Sequence, residues 1–256
     1  MRADIHRCLT PLLVATASAL AACSPGPLEV VSLSPDSLRL GLVAHWTFDE
    51  GAGTVITDHS GNDHSGELVG GTWIGGQFGN ALHFELGDGV SVANFPQASG
   101  SLSVSLWVRP PVGDFGDPYL TLISTEIVWS GGWEMNVRLT PASTIYDFGF
   151  PRGNSQYDAT YEYFNCGCVE ANQWTHLVAV VDGQAQEIDF YRNGILQGRS
   201  PIANPLKPGS PTLFIGRWSE SDRLFTGDLD DIAIYSRALA PAEAVVLYQH
   251  PAPDPP

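Results

Sequence analysis

Residues 101–110 read SLSVSLWVRP, and this alternation restricts the fold more than any other stretch. Leu102, Val104, Leu106 and Val108 fall on one face of an extended chain, and Ser101, Ser103, Ser105, Trp107 and Arg109 fall on the other. A period of two is that of a strand with one apolar face. Pro110-Pro111 ends it, because proline gives no N–H to a ladder. WTHLVAVV, residues 174–181, is apolar on both faces and reads as a central strand. EIDFYRNGILQG holds Asn193-Gly194 between two strand-like runs, a pair suited to a two-residue hairpin turn with positive φ at both positions. TLFIGRW and DLDDIAIYSRAL read as further strands, and PAEAVVLYQH, from Pro241, as the one helix. Many short strands with Gly/Pro turns predict an all-β sandwich or jelly roll with one short C-terminal helix.

The ends read differently. Residues 1–22 carry Arg2 and Arg7 before an apolar run of secretory size, too short to span a bilayer as a helix. The run closes on Leu20-Ala21-Ala22-Cys23, which resembles a bacterial lipoprotein processing box. That resemblance implies a signal peptide over 1–22 and lipidation of Cys23. Ser24, in place of aspartate, points to the outer membrane. Residues 23–40 are rich in Pro and Ser and read as a tether, and 251–256 as a disordered tail. The formal net charge is −16; removal of residues 1–22 takes away a net +1 and leaves −17. Nucleic acid is an unsuitable partner for such a chain, since phosphate binding needs a basic surface. Of the four cysteines, Cys166 and Cys168 remain for a disulfide in an export compartment that permits one, and free thiols are the alternative.

Six stretches, in order, are similar to the laminin-G-like, concanavalin-A-like jelly-roll domains of bacterial surface proteins. They are HWTFDEGAG with DHSGNDHSGEL; GNALHFELGDGVSV; SLSVSLWVRP; QWTHLVAVVDG; DFYRNGILQG; and FIGRW with FTGDLDDIAIYSRALAPAEAVVLY. The resemblance covers residues 41–250. It implies two packed antiparallel sheets, adjacent first and last strands, binding of carbohydrate or a protein partner, and one structural calcium. It departs at Ala240, where a capping Ser or Thr is usual, and from Val112 to Val169.

The run His45 to Gly66 holds three histidines and four carboxylates among glycines. By the resemblance, Asp58, Asn62 and Asp230 would hold calcium, an ion that takes six to eight hard oxygens. The same residues are also ordinary turn formers. His59 and His64 lack the spacing of a helical zinc site.

For ligand binding, exposed aromatic rings are expected at Trp129, Trp133, Tyr161 and Tyr163, beside flexible glycines or on one strand face. Trp46, Trp107 and Trp174 are assigned to packing. Laminarinase-type glycosidases on this sandwich carry Glu-x-Asp-x-x-Glu; here Glu187 and Asp189 are followed by Arg192. Arginine cannot act as acid or base. The expectation is therefore a non-catalytic, lipid-anchored binding protein. A glycosidase or lyase and a purely structural envelope protein are the alternatives.

Overall fold

The structure is a computed structural model. It describes residues 35–111, 120–125, 131–140, 143–149, 164–168, 171–219 and 222–253, with the backbone alone at 35–36, 139–140, 143–145 and 164–168. A 3₁₀ turn, Pro35–Arg39, precedes the first strand. In chain order the strands are β1 Leu42–Trp46, β2 Val55–Ile56, β3 Gly66–Val69, β4 Thr72–Gly75, β5 Asn80–Phe84, β6 Gly89–Val92, β7 Leu102–Arg109 and β8 Leu120–Ser124. They continue as β9 Glu134–Thr140, β10 Ser143–Gly149, β11 Phe164–Cys168, β12 Thr175–Asp182, β13 Glu187–Arg192, β14 Ile195–Pro201, β15 Leu213–Ile215 and β16 Gly227–Tyr235. Helix α1, Pro241–Gln249, follows.

Two eight-stranded antiparallel sheets form. The first runs β14-β13-β12-β7-β16-β5-β4, with β1 also on β16, and the second runs β11-β10-β9-β8-β15-β6-β3-β2. The jelly-roll sandwich expected from strand alternation is therefore the fold. The first and last strands pair, Leu42 opposite Tyr235 and Trp46 opposite Ile232. β12 lies between β7 and β13, as its two apolar faces require. The Asn193-Gly194 turn has φ of 50° and 73° at its two residues, the left-handed pair that hairpin geometry demands.

Between the sheets, Leu102, Val104, Leu106 and Val108 of β7 pack with Met135 and Val137 of β9 and Tyr146 and Phe148 of β10. Each such buried side chain contributes about 1.5–3 kcal/mol. A second apolar layer covers the outside of the first sheet. There Leu38, Ala244 and Leu247 sit on Val178, Val180, Tyr191, Ala233 and Tyr235. Ala240 cannot cap α1 with a side chain; the Glu243 carboxylate accepts the Ala240 N–H instead, at 2.8 Å. Among the described residues no helix is long and apolar enough to cross a membrane.

β16 ends its pairing with β5 at Leu229, and its register against β7 shifts between Asp230 and Ala233. Asp231 adopts φ 44° there. This bulge turns two consecutive carboxylates in different directions, which fixes the surroundings of both.

Candidate functional site

The acidic turn is held mostly by Asp58. Its carboxylate accepts the N–H groups of His45 at 2.9 Å, Ser60 at 2.9 Å and His64 at 2.9 Å, and the Ser60 hydroxyl at 2.8 Å. Burial works against its charge, but these donors outweigh burial and hold the carboxyl below its ordinary value. The Asn62 amide nitrogen lies 3.0 Å from Leu42 O, 3.0 Å from Val43 O and 3.1 Å from Ser60 Oγ. Asp58 and Asn62 thus meet in one turn, joined through Ser60.

Asp230 is not part of that turn. Its Oδ2 accepts Gln77 N–H at 2.8 Å and Phe78 N–H at 2.9 Å. Burial, reinforced by the charge of Asp231, pushes its carboxyl up to about 7 against those two donors. Asp231 goes the other way and accepts from His45 Nε2 at 2.7 Å. The expected trio Asp58, Asn62 and Asp230 is therefore corrected to Asp58 and Asn62, because the bulge aims Asp230 at the β4–β5 turn. The oxygens of Leu42, Val43, Ser60 and Asp58, with that of Asn62 after a half-turn of its amide, are hard and irregularly placed. These are the hard oxygens calcium takes, but each already has a hydrogen-bond partner in the turn, so an ion there would have to displace the Ser60 and Asn62 donors. Among the described residues no group of three or more His, Cys, Asp or Glu could hold a metal ion.

A larger polar group lies on the second sheet, on the face turned away from the core. Met135 and Val137 of β9 point into the core, so Glu134, Asn136 and Arg138 point outward. Asp147 stands opposite Asn136 on one side and Thr121 stands opposite it on the other. Thr121 Oγ1 donates to Asn136 Oδ1 at 2.8 Å. Arg138 Nε lies 2.5 Å from Asp147 Oδ2. Burial pushes Asp147 up to about 6, although the Arg138 charge opposes it. From the loop before β16, Arg223 Nη1 reaches both oxygens of the buried Glu134, at 3.1 and 3.0 Å. Its guanidinium lies 4.8 Å from the Trp218 ring centroid, and its carbonyl accepts Thr121 N–H at 3.0 Å. Arg223 itself has φ 47°, a left-handed backbone that costs of the order of 1–3 kcal/mol in a non-glycine residue.

The Arg138 side chain is 25% exposed and that of Arg223 is 19% exposed, while Asp147 and Glu134 are fully covered. Two buried carboxylates therefore fix two partly exposed arginines, and one of them, Arg223, lies over the Trp218 indole. That arrangement can donate hydrogen bonds to an oxygen-rich ligand at small cost in side-chain entropy.

Comparison with known proteins adds the family. Residues 84–245 match the family described as the concanavalin A-like lectin/glucanases superfamily. The chain belongs to that superfamily. No curated protein matches it in sequence. Domain 4 of AbnA, a GH43 extracellular arabinanase from Geobacillus stearothermophilus solved with arabinotriose, is 22% identical at a TM-score of 0.60, over 81% of this chain and 98% of that one. The binding domain of Paraclostridial Mosquitocidal Protein 1 is 18% identical at a TM-score of 0.64, over 82% and 52%. The ligand binding domain of Botulinum neurotoxin serotype D, solved with N-acetylneuraminic acid, is 17% identical at 0.60, over 84% and 52%. The chain thus spans nearly all of the arabinanase domain and about half of each toxin domain. At these identities the likeness shows the fold.

The other expected positions fare as follows in this member of the concanavalin A-like superfamily. Trp133 is a correction. It is 2% exposed and stacks on Phe148 inside the core, at 6.1 Å between ring centroids, so it offers no face to a ligand. The alternation Trp133, Met135, Val137 was the signal for this. Trp129, Tyr161, Tyr163 and Cys23 lie outside the described residues. Cys166 and Cys168 fall on β11, whose side chains also lie outside them. Trp46 and Trp107 pack as expected, 0% and 3% exposed. Trp174 is half-buried beneath the Arg109 guanidinium, 4.9 Å away.

Glu187 and Asp189 line a cleft of about 310 Å³ beside the start of α1. Arg199 Nε lies 3.2 Å from Glu187 Oε2 and 2.6 Å from Asp189 Oδ1. The two carboxylates thus share one guanidinium. Asp182, the third acid there, accepts the N–H groups of Gln184 and Ala185 at 2.8 and 3.0 Å.

Proposed function

We propose that this chain is a non-catalytic carbohydrate-binding protein that engages glycan on the outer face of its second sheet. The observation that supports this best is the pair of partly exposed arginines, Arg138 and Arg223, each fixed by a buried carboxylate, with Arg223 also lying over the Trp218 ring. Sugar hydroxyls are acceptors and donors at once, and guanidinium edges flanked by an aromatic ring suit them. Two structurally similar domains were solved with an arabinotriose and with N-acetylneuraminic acid, which agrees with this reading. The shared use of Arg199 by Glu187 and Asp189 favours binding over hydrolysis.

In this reading the protein is exported and tethered to the cell envelope, in the outer membrane, through lipid on Cys23. One calcium ion at the Asp58–Asn62 turn would neutralise the carboxylate and tie the turn to β1. It plays no part in chemistry.

The test is a glycan array probed with the full chain in detergent, followed by titration of any hit. Arg223→Gln and Trp218→Ala should each weaken the hit about tenfold, equivalent to about 1.4 kcal/mol. An array without a hit, or a hit indifferent to both variants, sinks the assignment of this face. Release of reducing ends from a polysaccharide would return the protein to the enzymes.

A further inference from the structure

The outer face of the first sheet carries a second polar group, unrelated to the arginines of the other sheet. Strand register sets Thr72, His83, Asp228 and Arg109 opposite one another across β4, β5, β16 and β7. Trp174, just before β12, completes the row under the Arg109 guanidinium at 4.9 Å. Their neighbours Leu82, Phe84, Leu229 and Val108 lie in the core, so this row faces outward.

Asp228 is the hub. Its Oδ1 accepts from His83 Nδ1 at 2.6 Å and its Oδ2 from Arg109 Nε at 2.5 Å. The Asp228 side chain is 9% exposed, while those of His83 and Arg109 are 37% and 30% exposed. Because Nδ1 faces Asp228, Nε2 on the far side of the His83 ring points away from it, toward the exposed side of the row. Arg109 spends only Nε on Asp228. Among the described residues neither Nη1 nor Nη2 has a partner, and these two atoms form the edge of the guanidinium that matches a carboxylate. The guanidinium covers one face of the half-buried Trp174 indole, whose remaining exposed part borders the fork and gives a sugar ring an apolar contact.

We propose that His83, Arg109 and Trp174 form a binding site for a carboxylate-bearing sugar of the uronic acid type. The carboxylate lies along the Arg109 fork, a hydroxyl pairs with His83 Nε2, and the ring rests against the edge of Trp174. Asp228 positions both donor and acceptor and does not touch the ligand. Asp228 balances the Arg109 charge, so what selects a carboxylate on a chain of formal net charge −16 is the paired-donor geometry of the fork.

The experiment is calorimetric titration of the full chain in detergent with a galacturonic acid trisaccharide and with its carboxyl-reduced, neutral counterpart. The acidic sugar should bind at least tenfold more tightly than the neutral one. Arg109→Lys keeps the charge and removes the fork, and Trp174→Ala removes the ring; each should cost tenfold or more. His83→Gln is the third variant, and a thermal melt of each variant shows that the fold survives. Arg223→Gln, on the other sheet, should leave this binding unchanged and so separates it from the face proposed above. Equal affinity for the two sugars, no binding of either, or loss through Arg223→Gln overturns the proposal. Equal binding of a carboxylate-terminated peptide overturns the sugar class.

Discussion

Arg237 holds Glu243 through two contacts of 2.7 Å, one from each terminal nitrogen, and the same guanidinium donates to Ser37 O at 2.7 Å and Leu40 O at 2.6 Å. One side chain therefore ties the 3₁₀ turn before the first strand to the helix after the last. Burial opposes the Glu243 charge, yet the Arg237 contact and the Ala240 N–H outweigh it and keep the carboxyl below its ordinary value.

Removing this tie should be costly. Arg237→Leu leaves the Glu243 carboxylate, 5% exposed, without its cation and frees the carbonyls of Ser37, Leu40 and Ala238. A loss of roughly 2–4 kcal/mol is expected, below the fully buried case because Arg237 is partly in solvent. Urea unfolding measures it; a loss under ~0.5 kcal/mol would show the tie to be ornamental.

Asp230 gives stability a particular pH dependence. Its carboxyl sits at about 7 in the fold against an ordinary 3.8. Between those values the folded chain keeps a proton that the unfolded chain has released. The contribution is full below the lower value and is lost as pH rises through the upper one. Asp230→Asn mimics the protonated group and keeps an oxygen for Gln77 and Phe78. Its stability relative to the parent should rise from pH 5 to pH 8, by an amount on the order of 3 kcal/mol. Parallel pH profiles for the two chains would contradict the assignment.

Calcium at the Asp58–Asn62 turn should be visible in a thermal melt. At a hundredfold excess over Kd, a bound ion adds about 2.7 kcal/mol, which chelator removes. Asp58→Asn should abolish the difference between calcium and chelator. Identical melting curves for the parent chain would argue that the Asn62 nitrogen alone satisfies Leu42 O and Val43 O.

Trp133 now belongs to the core. Trp133→Ala should cost about 3–5 kcal/mol through the cavity it leaves. Trp218→Ala, at a partly exposed ring, should cost far less stability and more affinity. The reverse ranking, by denaturation and titration, would restore Trp133 to the ligand surface.

The frame was legible because its signals are local. Alternation marks β7 within ten residues, and Asn193-Gly194 marks its hairpin within two. The same local rule, applied to Trp133, Met135 and Val137, separates the core face of β9 from Glu134, Asn136 and Arg138. The candidate sites were not legible, because their members come from distant strands. Glu134 meets Arg223 across 89 positions, and His83 meets Asp228 across 145. Such meetings depend on strand order and register, to which composition and spacing are blind. Asp230 was misplaced for a related reason: a one-residue bulge decides which of two adjacent acids faces which neighbour.

The clasp of Arg237 on Ser37 and Leu40 also has a mechanical meaning. A pull on the chain from before Pro35 would meet that clasp before it met the first strand. The strand itself is braced antiparallel along β16 over Leu42–Trp46, so tension would have to peel it away pair by pair. Force applied at the amino end would thus be resisted first at the point where it enters the sandwich.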